Sequence, residues 1–201
     1  MPRAKKKPNK KPKQEPFRVF TIGHSTRPIG KFIELLELHG VKKLVDVRTV
    51  PRSRHNPQFN KDALPDSLRK ASIRYVHRPG LGGLRHARRD SINRGWENVS
   101  FRGFADYMQE PGFEQSVEAL LKLAAKTAIC IMCAEAVPWR CHRSLIADAL
   151  TVRGVQVEHI TGGGKTLIHS LTSFAKVKGQ SITYPAPLAH HAVTASKRAP
   201  A

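Results

Sequence analysis

Cysteine, aromatic residues and acidic residues are all scarce in this chain. Three cysteines in 201 residues do not form a disulfide framework, and they fit a reducing compartment. No run of about 18 apolar residues occurs, and no apolar segment follows the basic start, so the sequence predicts neither a membrane helix nor a signal peptide. We therefore expect a cytoplasmic protein that has no membrane partner.

The scarcity of acidic residues leaves a large positive charge. The chain has 35 basic and 15 acidic residues, which gives a net charge of +20. The excess is +6 in residues 1–16, +9 in residues 17–161 and +5 in residues 162–201. Because the charge is spread over all three ranges, it favours an anionic partner. We expect nucleic acid or a phosphorylated small molecule.

The same three ranges differ in their residue patterns. Residues 1–16 are rich in Lys and Pro and have no apolar segment, so we expect a disordered basic arm. Residues 17–161 alternate short apolar runs with amphipathic stretches, and their length suits one domain. Residues 162–201 are predicted to be a basic C-terminal extension that is loose from about Pro185 onward.

Five apolar runs predict strands, and three amphipathic stretches predict helices. The predicted strands are residues 17–22, 43–47, 73–77, 127–132 and 155–160, and the predicted helices are residues 28–39, 113–126 and 142–153. Thr26 is a candidate N-cap of the first helix, and Gly40 is a candidate for its end. Strands that alternate with helices predict an α/β fold, a three-layer Rossmann-like domain with a mostly parallel sheet of about five strands.

Polar residues follow four of the predicted strands. Ligands of open α/β sheets bind at the carboxyl ends of the strands, so these residues are candidates for one site. The four segments are Gly23-His24-Ser25-Thr26, residues 46–54, residues 77–83 and Cys133-Ala134-Glu135. Candidates for binding a substrate or an anion, here and in the loop after Glu135, are Arg48, Ser53, Gly82, Gly83, Arg140, His142 and Arg143.

The segment from Cys133 to Arg143 combines two thiols, a carboxylate, an imidazole and two guanidinium groups just before a predicted helix. The start of a helix attracts anions and lowers the pKa of a thiol. Cys133 is therefore a candidate nucleophile. Cys141 is a candidate second nucleophile, resolving thiol or metal ligand, or a residue that packs under the loop. Cys130 lies on the opposite face of the strand and is predicted to be a core residue.

Glu135 and His24 are candidates for proton transfer. Glu135 could also bind a substrate amine or a ribose hydroxyl. The alternative for Glu135 is an ion pair with Arg140 or Arg143, and the alternative for His24 is an imidazole bonded to backbone carbonyls.

Asp46 and Arg48 lie two residues apart at a strand end, so they form a structural ion pair or face the substrate together. Arg143 suits bidentate phosphate binding, and its alternative is a buried ion pair with Asp46 or Glu135. Pro138 is expected to shape the loop.

A zinc site is the weaker chemical alternative, and no cofactor is predicted. Its ligands would be Cys133, Cys141 and His142, with His24 as a further candidate. The separation of the two cysteines exceeds the usual short Cys-x2-4-Cys spacing, and adjacent Cys and His residues do not easily share one ion.

Two further patterns have ordinary structural interpretations. Gly162-Gly163-Gly164-Lys165-Thr166 resembles the end of a P-loop, but His159 stands where the first glycine is required, so a flexible basic linker after the last strand is predicted. Trp96, Phe101, Phe104 and Tyr107 could stack on bases, but their spacing is that of a helix covering the sheet.

Taken in order, these motifs resemble the domain-of-unknown-function family numbered 488. The resemblance covers about residues 17–161. It rests on Gly23-His24-Ser25 with Phe32, Asp46-Val47-Arg48 with Pro51 and Ser53, Leu81-Gly82-Gly83, and Cys133-x-Glu135 with Pro138 and Cys141-His142-Arg143. It implies the α/β fold and the strand-end cluster, and it implies no reaction, substrate or cofactor.

Two functions are consistent with these residues. The first is a cysteine-dependent hydrolase or transferase that acts on a nucleotide, a nucleic acid or another anionic substrate in the strand-end cleft. The second is a non-catalytic nucleic-acid-binding module whose basic tails supply the affinity. Rapid reaction of Cys133 with iodoacetamide near neutral pH favours the enzyme, and an inert Cys133 favours the module.

Overall fold

The computed structural model describes residues 17–187, so the predicted arm and the last part of the predicted extension, residues 188–201, lie outside it. Strands β1 to β8 are Arg18–Gly23, Lys43–Asp46, Arg74–His77, Ile129–Cys133, Gln156–Ile160, Thr166–Ile168, Lys176–Lys178 and Ser181–Thr183. Helices α1 to α5 are Ile29–Leu38, Leu64–Lys70, Val99–Tyr107, Pro111–Ala124 and Arg143–Val152.

Strands β1 to β6 form one sheet in the order β3-β2-β4-β1-β5-β6. The first five strands in this order are parallel, and β6 pairs antiparallel with β5. Strand β4 lies inside the sheet and is buried along its whole length, which explains its unbroken apolar sequence. Strands β7 and β8 form a separate antiparallel hairpin.

Two apolar cores flank the sheet, which confirms the predicted three-layer α/β fold. Along β4, Ile129, Ile131 and Cys133 face one core, while Cys130 and Met132 face the other. Helices α3, α4 and α5 cover the first core, and helices α1 and α2 cover the second. Cys130 is therefore a core residue on the face opposite to Cys133, as the alternation predicts.

The five predicted strands and the three predicted helices are all present, with ends that differ by at most two residues. Helix α1 follows Pro28 without a side-chain cap, so the predicted N-cap at Thr26 is wrong. The fixed φ of proline starts this helix instead. Gly40 has a φ of +64°, the left-handed conformation that ends many helices. Helix α2 has no counterpart among the predicted elements, whereas α3 contains Phe101, Phe104 and Tyr107, whose spacing predicted a helix that covers the sheet.

The chain after β5 contributes to the fold. Gly162–Gly164 turns into β6, so these glycines form a hairpin turn rather than the predicted linker, and β5 is not the last strand. A P-loop would continue into a helix here, and this segment continues into a strand. Ile182 and Tyr184 are buried in the core beneath α3, α4 and α5. Among the described residues, no helix has the length and apolar character needed to cross a bilayer.

Candidate functional site

The carboxyl ends of β1, β2 and β4 border a cleft of about 530 Å³. Because β4 lies between β1 and β2 in the sheet, the loops that follow these strands are neighbours. The predicted site residues that line the cleft are Arg48, Gly83, Cys133, Glu135, Arg140, Cys141 and His142. The predicted site residues that do not line it are His24, Asp46, Ser53, Gly82, Pro138 and Arg143.

The loop after β4 is held against the end of β1. The N–H of His24 donates to the carbonyl oxygen of Cys133 at 3.0 Å. A Cβ atom at Gly23 would lie 1.8 Å from the carbonyl oxygen of Glu135, so a larger residue does not fit there without moving the backbone. Gly23 thus lets the two strand ends approach and places Cys133 at the cleft.

Two thiols and an imidazole meet at the cleft. Nδ1 of His142 lies 3.6 Å from Sγ of Cys141 and 3.9 Å from Sγ of Cys133. Cys133 is 8% exposed and Cys141 is 4% exposed, whereas Cys130 is 0% exposed. The two cleft cysteines therefore lie close to one another at the lining of the cleft and are almost fully buried, and the third thiol is sealed in the opposite core.

The two cleft thiols titrate as a pair with opposite shifts. Contact with Cys133 and His142, helped by the charge of Arg143, holds the pKa of Cys141 well below its ordinary value. Contact with Cys141, together with burial, raises the pKa of Cys133. The two thiols therefore titrate as one pair, and a single thiolate forms on that pair.

Arg143, the first residue of α5, is a buried cation. It is 1% exposed, and it has no carboxylate partner within residues 17–187. Its Nη2 donates to the carbonyl oxygen of Glu135 at 2.6 Å, and its Nη1 donates to Oγ1 of Thr21 at 3.2 Å. The predicted alternative, an ion pair with Asp46 or with the Glu135 carboxylate, is therefore wrong. Both bonds go to neutral oxygens, so the positive charge remains available to the nearby thiols.

Arg48 is also buried, but a carboxylate compensates its charge. Its Nε and Nη2 bind the two oxygens of Asp46 at 2.9 and 2.6 Å, so the predicted ion pair is present. Asp46 is fully buried and also accepts a hydrogen bond from the hydroxyl of Tyr75 at 2.7 Å. Nη2 of Arg48 donates in addition to the carbonyl oxygen of Phe59. These bonds fix the loop after β2 at the edge of the cleft.

Both ring nitrogens of His24 have partners. Nδ1 donates to the carbonyl oxygen of Ser25 at 2.8 Å, and Nε2 accepts from Nη1 of Arg48 at 3.2 Å. The ring stacks on Phe59 with centroids 4.3 Å apart. Burial lowers the pKa of His24 to about 4, so the ring is neutral near pH 7. This geometry favours the backbone-bonded alternative for His24 over a role in proton transfer.

Three arginines and one carboxylate line the cleft. They are Arg48, Arg52, Arg140 and Glu135, and all but Arg48 are exposed. Oε1 of Glu135 accepts a hydrogen bond from the N–H of Val137 at 3.3 Å. Across residues 17–187, no ion pair joins Glu135 to an arginine. The lining is therefore net positive, which suits an anionic ligand.

Gly82 and Gly83 allow close contacts beside the cleft. A Cβ atom at Gly83 would lie 2.5 Å from Nδ1 of His142, and one at Gly82 would lie 2.3 Å from Oγ1 of Thr49. Gly83 therefore allows the His142 ring to approach the backbone, and Gly82 does the same for the loop after β2.

Ser53 and Pro138 support the loops from outside the cleft. Oγ of Ser53 accepts a hydrogen bond from the N–H of Asn56 at 3.0 Å, which closes a turn in the loop after β2. Pro138 is buried and begins the short helical turn Pro138–Arg140, which leads into Cys141. Neither side chain lines the cleft, so each acts on the site through the path of the backbone.

The sequence alone did not indicate the apolar side of the cleft. The lining residues within the predicted strand-end segments also include Ser25, Thr49, Val50, Arg52 and Ala134, and those outside these segments are Leu84, Ser100, Phe101 and Ala136. Of the four aromatic residues considered for base stacking, Phe101 lines the cleft, whereas Phe104 and Tyr107 are buried in the core. The side chain of Phe101 packs on Trp96 with ring centroids 4.8 Å apart. Its place at the start of α3 separates it from the core-facing aromatics.

A metal site fits these residues incompletely. Donor atoms of Cys133, Cys141 and His142 lie within 4.8 Å of one another. The adjacent Cys141 and His142 converge because Cys141 is extended and precedes the helix. Among the described residues, no fourth such donor joins the group. Nε2 of His142 is buried without a partner, whereas a histidine that binds metal usually donates its other N–H to an acceptor.

A family model described as domain of unknown function DUF488 matches residues 28–150, which is more than half of the chain. The chain belongs to the DUF488 family. Comparisons with curated proteins and with solved structures found no match. The DUF488 segment contains α1 to α4, β2 to β4, both cleft cysteines and Arg143. Strand β1 precedes the segment, and β5 to β8 follow it.

Proposed function

We propose that the DUF488 cleft is the active site of a cysteine-dependent enzyme that acts on a nucleotide or a related anionic substrate. The observation that carries this proposal is the pair of thiols beside His142 and the uncompensated charge of Arg143. A nearby cation favours the charged form of a thiol, and the thiolate is the form that attacks an electrophile.

Cys141 is the nucleophile that this arrangement favours. The position of Cys133 at the end of a strand made it the first candidate in the sequence, but Sγ of Cys141 lies closer to Nδ1 of His142, at 3.6 Å against 3.9 Å, and contact with Cys133 and His142 lowers the pKa of Cys141. In the proposed step, the Cys141 sulfur forms a bond to an electrophilic carbon or phosphorus atom, and the leaving group departs with its electron pair. Water or a second substrate then displaces the sulfur, which describes a hydrolase or a transferase.

The lining of the cleft supports an anionic substrate that also has a flat apolar part. Arg52 and Arg140 are exposed cations at the cleft, and an arginine fork suits the oxygens of a phosphate. Phe101 offers an aromatic face, and Val50 and Leu84 add apolar surface. Glu135 is the carboxylate in the cleft, so it is the candidate that accepts a proton from the water or second substrate that displaces the sulfur.

Protection from alkylation tests the proposed substrate class. Iodoacetamide is added to the protein, and peptide mass spectrometry follows the modification of each cysteine. Nucleoside monophosphates should slow the modification of Cys141 in a saturable manner, and inorganic phosphate should do so less, because it lacks the base. The variant Cys130→Ala is the matched control, since it removes a thiol outside the cleft. An alkylation rate that no nucleotide changes would contradict a nucleotide site.

Serine variants separate the roles of the two thiols. With a substrate found by protection, Cys141→Ser should lower turnover by orders of magnitude while binding persists, because a hydroxyl ionises far less readily than a thiol. Cys133→Ser should lower turnover less, since Cys141 keeps its contact with His142 in this variant. Full activity in Cys141→Ser would rule out that sulfur as the nucleophile.

The second candidate is a non-catalytic nucleic-acid-binding module, and the net charge of +20 is the observation that favours it. Deletion of residues 1–16 should then weaken binding to a single-stranded oligonucleotide and reduce its dependence on salt, because fewer counterions are released. Tight, salt-sensitive binding by a protein whose Cys141 is inert would favour the module over the enzyme.

A further inference from the structure

A second polar cluster is buried beside α5 and does not line the cleft. Its centre is Asp148, which is 0% exposed and accepts four hydrogen bonds of 2.7–3.0 Å. The donors are Nε2 of His169, the N–H and hydroxyl of Thr172, and the hydroxyl of Tyr184. All three donor residues lie after residue 150, where the family match ends.

A line of hydrogen bonds leads from Asp148 to Arg143. Nδ1 of His169 lies 3.0 Å from Nε2 of His159, and Nδ1 of His159 lies 2.8 Å from Oγ1 of Thr21. Oγ1 of Thr21 accepts from Nη1 of Arg143 at 3.2 Å. We call these five residues the Asp148 chain. It connects Arg143 with β1, β5 and the segment that follows β6.

Each polar hydrogen in the Asp148 chain needs an acceptor, and this requirement fixes which residue donates in each hydrogen bond. Asp148 accepts, so His169 carries a proton on Nε2 and, when neutral, accepts on Nδ1. His159 then donates from Nε2 and accepts on Nδ1 from the hydroxyl of Thr21. Burial lowers the pKa of His159 to about 4, which keeps this ring neutral.

If the hydrogen bonds ran in the opposite direction, the hydroxyl hydrogen of Thr21 would have no acceptor in the described part of the chain. A doubly protonated His169 would donate to His159, which would in turn donate to Thr21. The Thr21 oxygen would then accept from both His159 and Arg143, and its own proton would have no acceptor among the described residues. A buried donor without a partner costs about 1–3 kcal/mol, so the hydrogen bonds that run from Thr21 toward Asp148 are favoured.

We infer that Thr21, His159, His169 and Asp148 are positioning residues that hold the Arg143 guanidinium beside the cleft thiols. Nε of Arg143 is buried without a partner. Two hydrogen bonds therefore fix its guanidinium, one to Thr21 and one to the carbonyl oxygen of Glu135. Asp148 makes no direct ion pair with Arg143, so the cation is oriented while its charge still acts on the thiols. The role of these residues in catalysis rests on the proposed function.

Substitution of Thr21 tests the inference. Thr21→Val removes the hydroxyl and keeps the branched shape, whereas Thr21→Ser keeps the hydroxyl. The ultraviolet absorbance of the thiolate, followed against pH, reports the pKa of Cys141. We expect Thr21→Val to raise that pKa by about one unit, because a less firmly held cation stabilises the thiolate less, and Thr21→Ser to restore it. An unchanged pKa in Thr21→Val would overturn the inference.

Tyr184→Phe is the matched control. It removes a buried hydrogen bond to Asp148 that is not on the path to Arg143. Its midpoint of thermal unfolding should fall, as in Thr21→Val, but the pKa of Cys141 should stay at the wild-type value. Equal pKa shifts in Tyr184→Phe and Thr21→Val would show a general effect of lost stability and would overturn the positioning role.

Nitrogen NMR of the imidazole rings separates this inference from the proposed function. His159 should be protonated on Nε2 and should carry no proton on Nδ1. A proton on Nδ1 of His159 would overturn the direction of the chain. These signals and the thiol titration do not require turnover. A protein with the expected tautomers and the expected response to Thr21→Val, but without enzymatic activity, would therefore support the inference and contradict the proposed function alone.

Discussion

Two buried arginines beside the cleft differ in how their charge is compensated. Arg48 makes a bidentate ion pair with Asp46, whereas Arg143 bonds to one carbonyl oxygen and one hydroxyl. Burial of a charge is costly, and a direct carboxylate is the usual way to offset that cost. Arg48 follows this rule, so its charge stabilises the loop after β2. Arg143 departs from it, because no carboxylate within residues 17–187 forms an ion pair with it.

This difference assigns separate roles to the two sides of the cleft. The side formed by Asp46, Arg48 and His24 is a closed network whose polar groups satisfy one another. The side formed by Arg143 and the cleft thiols leaves a cation unneutralised until a thiolate forms. The first side stabilises the structure, and the second is the side to which the proposed chemistry is assigned.

The largest expected effect comes from removing one member of the closed network. Asp46→Ala leaves the buried Arg48 without its partner and should lower the free energy of unfolding by about 3–5 kcal/mol. Arg143→Met removes a cation that bonds to neutral groups, so its loss should be smaller, about 1–2 kcal/mol. Urea unfolding at pH 7 measures both. An Arg143→Met variant as unstable as Asp46→Ala would break the distinction between the two arginines.

Acid should weaken the same closed network through His24. Its pKa is about 4 in the folded protein and 6.5 ordinarily, so the unfolded chain binds the extra proton first. The contribution of His24 is therefore fully present above about pH 6.5 and is lost as the pH falls toward 4, by about 2–3 kcal/mol. Urea unfolding across this range measures the loss, and His24→Gln should flatten the dependence. Burial also lowers the pKa of His159 to about 4, so a part of the pH dependence of the free energy of unfolding should remain in His24→Gln. The same slope in both proteins would show that His24 is not the group responsible.

The smallest effect is expected at the exposed arginines of the cleft. Arg140→Ala should weaken protection by a nucleoside monophosphate by about two- to fivefold, because an exposed charge contributes about 0.5–1 kcal/mol. The pKa of Cys141 should not change. Arg69→Ala, an exposed arginine on α2, is the matched control and should leave protection as it is. A shift of the thiol pKa in Arg140→Ala would mean that the thiolate depends on the exposed arginines as well as on Arg143.

The order of strands and helices was predictable from the sequence because it depends on local patterns. Apolar runs give the five parallel strands, and alternation within β4 separates Cys130 from Cys133. Helix α3 was harder, because Gly103 lies inside it and glycine disfavours helices. A Cβ atom at Gly103 would lie 2.3 Å from the carbonyl oxygen of Arg85, so tertiary contact requires the glycine. The cap at Asn98 was the local signal for this helix.

The gathering of residues at the cleft was also predictable, since strand ends meet at one edge of a parallel sheet. The roles of those residues were not predictable. Whether Cys133 or Cys141 holds the proton depends on contacts with His142 and Arg143 in three dimensions. The Asp148 chain joins Thr21 to His159, which lie 138 residues apart, so no sequence spacing reveals it.

The pH dependence of Cys141 alkylation, measured in the wild-type protein and in Arg143→Met, tests the central claim most directly. The account predicts a wild-type midpoint below about 8.5, the ordinary pKa of a thiol, and an upward shift of about one to two units in Arg143→Met. Cys130 should remain unmodified in both folded proteins. A wild-type midpoint at or above the ordinary value, or a midpoint that Arg143→Met does not change, would contradict the claim that an uncompensated arginine helps to maintain the thiolate.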